Sequence, residues 1–187
     1  MRIISGNFKG KKILSPKDKS TRPLKDLTKE SIFNIIQHSN KFNISIKNSN
    51  ILDLFSGVGS FGLECLSRDA LNVTFVENYS EVIPILKKNI LNLNCFNNSD
   101  LIEKEIFSEL AFCELKIKYD IIFMDPPYKE RDLIPLIEKM IKENVLNKNG
   151  IFIIHRHKNH QDKFPKNFNI IEEKKYGISK IIFGQSS

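Results

Sequence analysis

The chain has 187 residues, 41% hydrophobic and 27% charged, which suffices for one domain with a real core and is ordinary for a globular protein. Its 29 basic against 22 acidic residues leave a net charge of +7, which favours an anionic partner, nucleic acid first. No run of about 18 apolar residues exists to span a membrane, and Met1-Arg2-Ile3-Ile4-Ser5-Gly6 lacks the apolar stretch of a signal peptide.

In chain order, Arg2–Ser5 and Lys11–Leu14 are strand-like around the turn Asn7-Phe8-Lys9-Gly10, which predicts a hairpin. Residues 15–25 are polar, with Pro16 and Pro23, and read as a loop. Thr28 is the expected N-cap of a helix with Glu30 and Ser31 in its first turn, followed by the apolar stripe Ile32, Phe33, Ile35 and Ile36. A loop rich in Asn and Lys over residues 39–49 links this arm to the main body.

From Asn50 strands and helices alternate. Strands are expected over 51–55, 72–76, 100–103, 119–124 and 150–155, and helices over 60–68, 80–93 and 133–146. Residues 168–175 and 178–183 read as a closing antiparallel pair joined around Gly177. Alternating strands and helices predict a parallel sheet with helices on both faces. The division expected is a basic arm over residues 1–49 and an α/β catalytic domain over 50–187.

Three cysteines, Cys65, Cys95 and Cys113, lie far apart without a C-x-x-C pair. They indicate a reduced, cytoplasmic compartment and no zinc site. His155, His157 and His160 lack a convincing third ligand, so no metal is expected.

The loop Asp53-Leu54-Phe55-Ser56-Gly57-Val58-Gly59-Ser60-Phe61-Gly62 leaves the first main strand and opens a helix. Its glycines satisfy G-x-G-x-x-G, a weak signal alone, and admit close backbone approach to a ligand. A nicotinamide enzyme shares this loop and an acid after the next strand. S-adenosylmethionine is favoured because Asp53 is placed to hold a cofactor ammonium and Glu77 to accept both ribose hydroxyls. Phe55, Ser56, Gly57 and Gly59 complete this candidate cofactor site.

Asp125-Pro126-Pro127-Tyr128 follows the fourth expected strand, over residues 119–124. Prolines donate no N–H and fix φ, so the loop presents acceptors at set angles. An Asp125 oxygen and the Pro126 carbonyl suit the hydrogens of an exocyclic base amine, and Tyr128 suits stacking on a base removed from its neighbours. Together with the glycine loop, this predicts methyl transfer to a base amine, with Asp125 a positioning acceptor first. Lack of a Pro-Cys context counts against methylation at cytosine C5. Nine cations against two anions crowd the first 29 residues. Among them Arg2, Lys9, Lys11, Lys12, Arg22 and Lys25 are candidate RNA contacts, with Phe8 available to stack.

These motifs resemble the RsmD-type bacterial guanine-N2 methyltransferases of 16S rRNA. The likeness runs from residues 2–12 and Thr21-Arg22-Pro23 through Glu30–Asn34, Asp53–Gly57, Gly62–Arg68 and Asp125–Tyr128 to Tyr176-Gly177. It implies a Rossmann-like class I methyltransferase with a mostly parallel seven-stranded sheet and an antiparallel C-terminal strand. It further implies S-adenosylmethionine as donor and 16S rRNA or the 30S particle as substrate; a monomer is expected. Glu105, with Ile106 beside it, falls where the family meets the adenine, although an Asp or Asn is usual there. Leu27 replaces a common arginine and His155 a frequent glutamate. Adenine-N6 methylation of DNA or RNA, and a non-catalytic rRNA-binding assembly role, stay open as alternatives.

Overall fold

The computed structural model describes residues 1–16, 24–112, 115, 117–127, 130 and 132–187. Tyr128, Arg22 and Cys113, singled out above, lie outside the described residues. A seven-stranded sheet comprises β1 (Asn50–Leu54), β2 (Asn72–Val76), β3 (Ser99–Ile102), β4 (Tyr119–Met124), β5 (Leu146–His157), β6 (Phe168–Tyr176) and β7 (Ser179–Ser186). The strand order is β3-β2-β1-β4-β5-β7-β6. All pairs are parallel except those of β7, which is antiparallel to β5 and β6.

Both faces of the sheet are covered, as the near-continuous apolar reading of β1, β4 and β5 requires. On one face α1 (Asp26–His38), α2 (Ser60–Ser67) and α3 (Ile83–Asn92) bury Ile32, Phe33, Phe61, Leu63 and Leu86 against Ile51, Val73 and Ile121. On the other, α4 (Leu133–Lys142) packs Leu133, Leu136, Ile137 and Met140 over Leu52, Ile122 and Phe152. Those α4 positions recur at helical spacing, so the helix needs only one apolar stripe. Every residue of α2 is buried, because the N-terminal segment lies over its outer side.

Several boundaries differ from the sequence reading. The helix expected to start at Thr28 starts at Asp26 after Lys25, without a side-chain cap, and Thr28 is buried in the first turn. The helix expected to reach Leu146 stops at Lys142, since Asn144 adopts a positive φ of 55° and Leu146 already pairs with Tyr119 in the sheet. The N-terminal hairpin reduces to one bridge, Arg2 to Lys12. Beyond it Gly10 N–H still reaches Ile3 O at 2.9 Å, but Lys11 N–H turns to Phe8 O at 3.0 Å and the segment bonds to α2 instead. Ile4 and Ser5 N–H donate to Glu64 at 2.8 and 3.0 Å, and Phe8 N–H donates to Ser67 Oγ at 2.9 Å. Gly6 has φ +81°, and a Cβ there would meet Ser67 O at 1.8 Å.

The basic segment is therefore strapped to α2, with Ile3 fully buried and Ile13 nearly so. Asn89 of α3 fixes its far end, accepting from Leu14 N–H at 2.8 Å and donating to Leu14 O at 3.1 Å. Arg2, Lys9, Lys11, Lys12 and Lys25 nonetheless stay exposed.

Candidate active site

Register brings three loops together. Leu54 pairs with Val76 on one side and with Met124 on the other, and Met124 pairs with Ile154. The next residue on each of these parallel strands is Phe55, Glu77, Asp125 or His155; the first three leave the sheet in loops, and His155, still within β5, lies level with them at the same sheet end. This is also the switch point between β1 and β4, where open α/β sheets place ligands. A cavity of about 510 Å³ opens there, lined by Asp53, Glu77, Asp125 and His155 among others, with Pro16 and Leu24 contributed by the N-terminal segment.

The glycine loop is held from below by Glu77. Its Oε2 accepts from Gly57 N–H at 2.7 Å, and its Oε1 accepts from Asn78 and Tyr79 N–H, each at 2.9 Å. A carboxylate has about four lone-pair directions. Three are spent on the backbone, leaving one on Oε2. Phe55, Gly57 and Gly59 take positive φ values of 57°, 54° and 82°. At Gly59 a Cβ would stand 2.5 Å from Leu86 Cδ1, and at Gly62 it would stand 2.3 Å from the Phe75 ring. The first two glycines turn the chain; Gly62 lets α2 sit on the sheet. Ser56 N–H donates to Val76 O at 3.1 Å, tying the loop to β2.

Asp53 is 1% exposed, and its Oδ2 accepts from Gly62 N–H at 2.9 Å. Its Oδ1 is buried with no partner among the described residues. Burial pushes its pKa well above the ordinary range against the Gly62 hydrogen bond, and the charges of Asp125 and Glu77 push it further. An unpaired buried carboxylate oxygen near two further carboxylates suits a cationic ligand.

The Asp125 carboxylate meets His155 Nδ1 at 2.7 Å, and His155 Nε2 lies 2.9 Å from Ser179 Oγ. Asp125 is partly exposed, Pro126 is buried and Pro127 is exposed, and all three line the cavity. Arg156, on the opposite face of β5 to His155, is 2% exposed. It donates to Glu130 O at 3.1 Å and grips Asp162 at 2.9 and 3.2 Å, anchoring the loop beyond Pro127.

Glu105 and Ile106 are not among the described residues lining this cavity. Glu105 turns onto its own backbone, accepting from Phe107 and Ser108 N–H at 2.8 and 2.7 Å. Although desolvation raises its pKa, the Ser108 and Phe107 hydrogen bonds hold it below the ordinary value. Ile106 is 3% exposed and packs in the α4-side core. The Glu105 carboxylate, expected to meet the adenine, caps its own turn through these contacts. Among the described residues no cluster of potential metal ligands forms: His155 faces Asp125, while His160 Nδ1 sits 3.1 Å from Arg156. No helix there is long and apolar enough to cross a membrane.

Sequence reasoning gave His155 no role beyond a family departure and a rejected metal ligand. A signal was present, since Ile121–Asp125 and Ile151–His155 each run four apolar residues into one polar residue. Parallel neighbours with that pattern bring their terminal polar groups side by side.

The sheet order, the crossing at β1 and β4 and the glycine loop define the class I methyltransferase fold. A profile of the family described as Conserved hypothetical protein 95 matches residues 1–185. Ribosomal RNA small subunit methyltransferase D of Haemophilus influenzae is 31% identical over 179 residues, covering 95% of this chain and 90% of that protein. Its counterpart from Buchnera aphidicola subsp. Baizongia pistaciae is 35% identical, covering 94% of this chain and 86% of that one. A solved Escherichia coli structure described as a candidate methyltransferase, yhhF, superposes with a TM-score of 0.81 at 27% identity, covering 100% of this chain and 97% of that one. The chain belongs to this family, that of the ribosomal RNA small subunit methyltransferase D proteins.

Proposed function

We propose that this protein transfers a methyl group from S-adenosylmethionine to the exocyclic N2 of a guanine in 16S rRNA, within the 30S particle. The observation that carries the reading is one cavity shared by the glycine loop and by Asp125-Pro126, on adjacent parallel strands. Membership of a family with relatives named for small-subunit rRNA methylation supports the substrate class.

The donor, when bound, supplies an electrophilic methyl carbon next to a sulfonium that leaves with the bonding electron pair. The chain's residues fit it. Asp53 Oδ1 offers a buried anionic acceptor for the ammonium, Glu77 Oε2 accepts a ribose hydroxyl, and Gly57 and Gly59 let the backbone approach. Asp125 and the Pro126 carbonyl accept from the two amine hydrogens, turning the nitrogen lone pair towards the methyl carbon. With the donor bound, nitrogen–carbon bond formation would accompany carbon–sulfur cleavage, and Asp125 or water would take the proton that the amine sheds. Alignment supplies most of the acceleration, so no metal is needed. Tyr128 is assigned stacking on the flipped base.

Residues 1–49 act as the RNA-facing unit and residues 50–187 as the catalytic unit of a monomeric, cytoplasmic enzyme. Exposed Lys9, Lys11 and Lys12 meet phosphates, joined by Arg2, Arg22 and Lys25. Replacing Lys9, Lys11 and Lys12 together by Glu should weaken 16S rRNA binding and lower the log–log salt slope by roughly 2. The donor affinity should be unaffected. Filter binding across salt concentrations reads both; an unchanged slope sinks the RNA role of this surface. Removing the segment outright is the poorer test, because Ile3 and Ile13 belong to the core.

Asp53→Asn tests the donor site and carries a definite sign. Asp53 has a folded pKa raised above its unfolded value, so the folded state holds more protons and loses stability as pH rises through that window. The Asn variant, free of that cost, should withstand more denaturant than wild type at neutral pH. It should bind the donor about tenfold or more weakly, having lost a buried charge-assisted contact. Calorimetry and urea unfolding measure the two effects, and tight donor binding by Asp53→Asn would remove the ammonium assignment.

The experiment that tests the reading is transfer to 30S particles lacking the modification, followed by nucleoside analysis. N2-methylguanosine is expected. N6-methyladenosine would replace the guanine by an adenine, and absence of donor binding by calorimetry would favour a non-catalytic assembly factor.

A further inference from the structure

We propose that His155, held by Ser179, is a positioning residue that fixes which oxygen of Asp125 faces the substrate amine. The proposal deepens the methyltransferase reading and rests on it.

His155 is 3% exposed and stands within β5, two residues before its end and one residue beyond the Ile154–Met124 pair, so its ring is delivered alongside Asp125 by sheet register. Its Nδ1 meets Asp125 Oδ1 at 2.7 Å. An ionised carboxylate only accepts, so Nδ1 must carry the proton in that contact. The opposite nitrogen, Nε2, lies 2.9 Å from the hydroxyl of Ser179, itself buried on β7. Ser179 pairs with His157 across the antiparallel ladder and therefore sits diagonal to His155. A serine hydroxyl donates or accepts, so this contact survives with the imidazole neutral or charged. The ring is thus held at both nitrogens.

The consequence is at Asp125. Its Oδ1 is occupied, while Oδ2 has no protein donor among the described residues. Rotation about the carboxylate torsion, broad for a terminal sp² group, is stopped by the Nδ1–H contact. One oxygen is reserved for the protein and the other for an amine hydrogen. Such supporting contacts decide whether a positioned group lies within the roughly 0.5 Å that efficient alignment demands.

Three variants test this, with wild-type transfer to 30S particles as reference. His155→Leu keeps volume but removes the donor; kcat should fall about 100-fold, in the range for losing one preorganised hydrogen bond, with KM for the donor unchanged. His155→Asn returns an N–H near the position of Nδ1 and should recover most of that loss. Ser179→Ala keeps the ring and should fall between them. Thermal unfolding accompanies each. If His155→Leu fails to fold, the Asn and Ala variants decide, with wild-type kcat in Ser179→Ala overturning the tether. A His155→Leu enzyme within threefold of wild type, or a His155→Asn no better than Leu, overturns the proposal. Imidazole ¹⁵N spectra read the contact without any turnover. A protonated Nδ1 that shifts in Asp125→Asn is expected, and an Nδ1 lacking its proton overturns the assignment. If wild type transfers no methyl while this signal is present, the function fails and the contact stands.

Discussion

Asp125→Ala should lose at least about 100-fold in single-turnover methyl transfer, and up to about 1000-fold, the scale for removing a preorganised acceptor or donor at a reacting centre. Donor binding should remain measurable by calorimetry, because Asp53 and Glu77 stay in place. Asp125→Asn should fall as far as Ala. Its carbonyl can still accept from His155 Nδ1, which turns the amide NH₂ towards the substrate amine and sets donor against donor. Equal damage from Asn and Ala is thus the signature of an acceptor role. Turnover by Asp125→Ala within tenfold of wild type would remove Asp125 from the chemistry.

The second large effect is on stability. Glu64 is fully buried and gathers Ile4 and Ser5 N–H, Arg68 at 3.0 Å and the fully buried Lys29 ammonium at 3.3 Å. Glu64→Ala would strand Lys29 without its counter-ion, although Lys29 Nζ still donates to Arg2 O at 2.9 Å. Removing one partner of a buried ion pair costs about 3–5 kcal/mol. Urea denaturation should show that loss at neutral pH, and a change below about 1 kcal/mol would deny Glu64 its role as the anchor of the N-terminal strap. The pH dependence has a sign. Burial already holds the Lys29 pKa below its ordinary value, with Glu64 pulling it back up. Without Glu64 the folded protein sheds this proton more readily than the unfolded chain. The variant then gains stability relative to wild type as pH rises towards the alkaline range, and the deficit narrows.

The two effects connect the strap to the site. Pro16 and Leu24, at the ends of the described parts of the N-terminal segment, line the cavity. The same segment carries exposed lysines and is fastened by Glu64, Ser67 and Asn89. RNA bound to those lysines would therefore be presented by a part of the molecule rigidly related to the donor site. The basic segment is a built element of the core face with a charged outer surface.

Most of the strand and helix alternation was legible because apolar runs four or five residues long, separated by polar segments, leave little choice in an α/β chain. The Asp53–Gly62 loop and Asp125-Pro126-Pro127 were legible for a related reason: each is an irregular, chemically specific stretch placed directly after a buried strand. What escaped was chemistry between residues far apart in the chain. Glu64 reads as one acid on an otherwise apolar helix, and nothing local says that residues 4 and 5 will spend their N–H groups on it instead of on a hairpin. Thr28 matches a cap by type, yet packing buries it. Nothing local in the sequence says that Glu105 will accept from Phe107 and Ser108 N–H.

By itself the sequence determined that this is an α/β methyltransferase-family chain with a cationic N-terminal segment, since hydrophobic spacing and special loop residues are local properties. Only the tertiary structure decided how the carboxylates are shared. Glu77 spends one lone-pair direction on the glycine loop at Gly57 and two on its own neighbours Asn78 and Tyr79, Asp53 keeps one buried oxygen without a partner among the described residues, and Asp125 is aimed by a histidine 30 residues downstream. Those assignments depend on strand register, which fixes which side chains meet across the sheet, and register is set by pairing between distant segments.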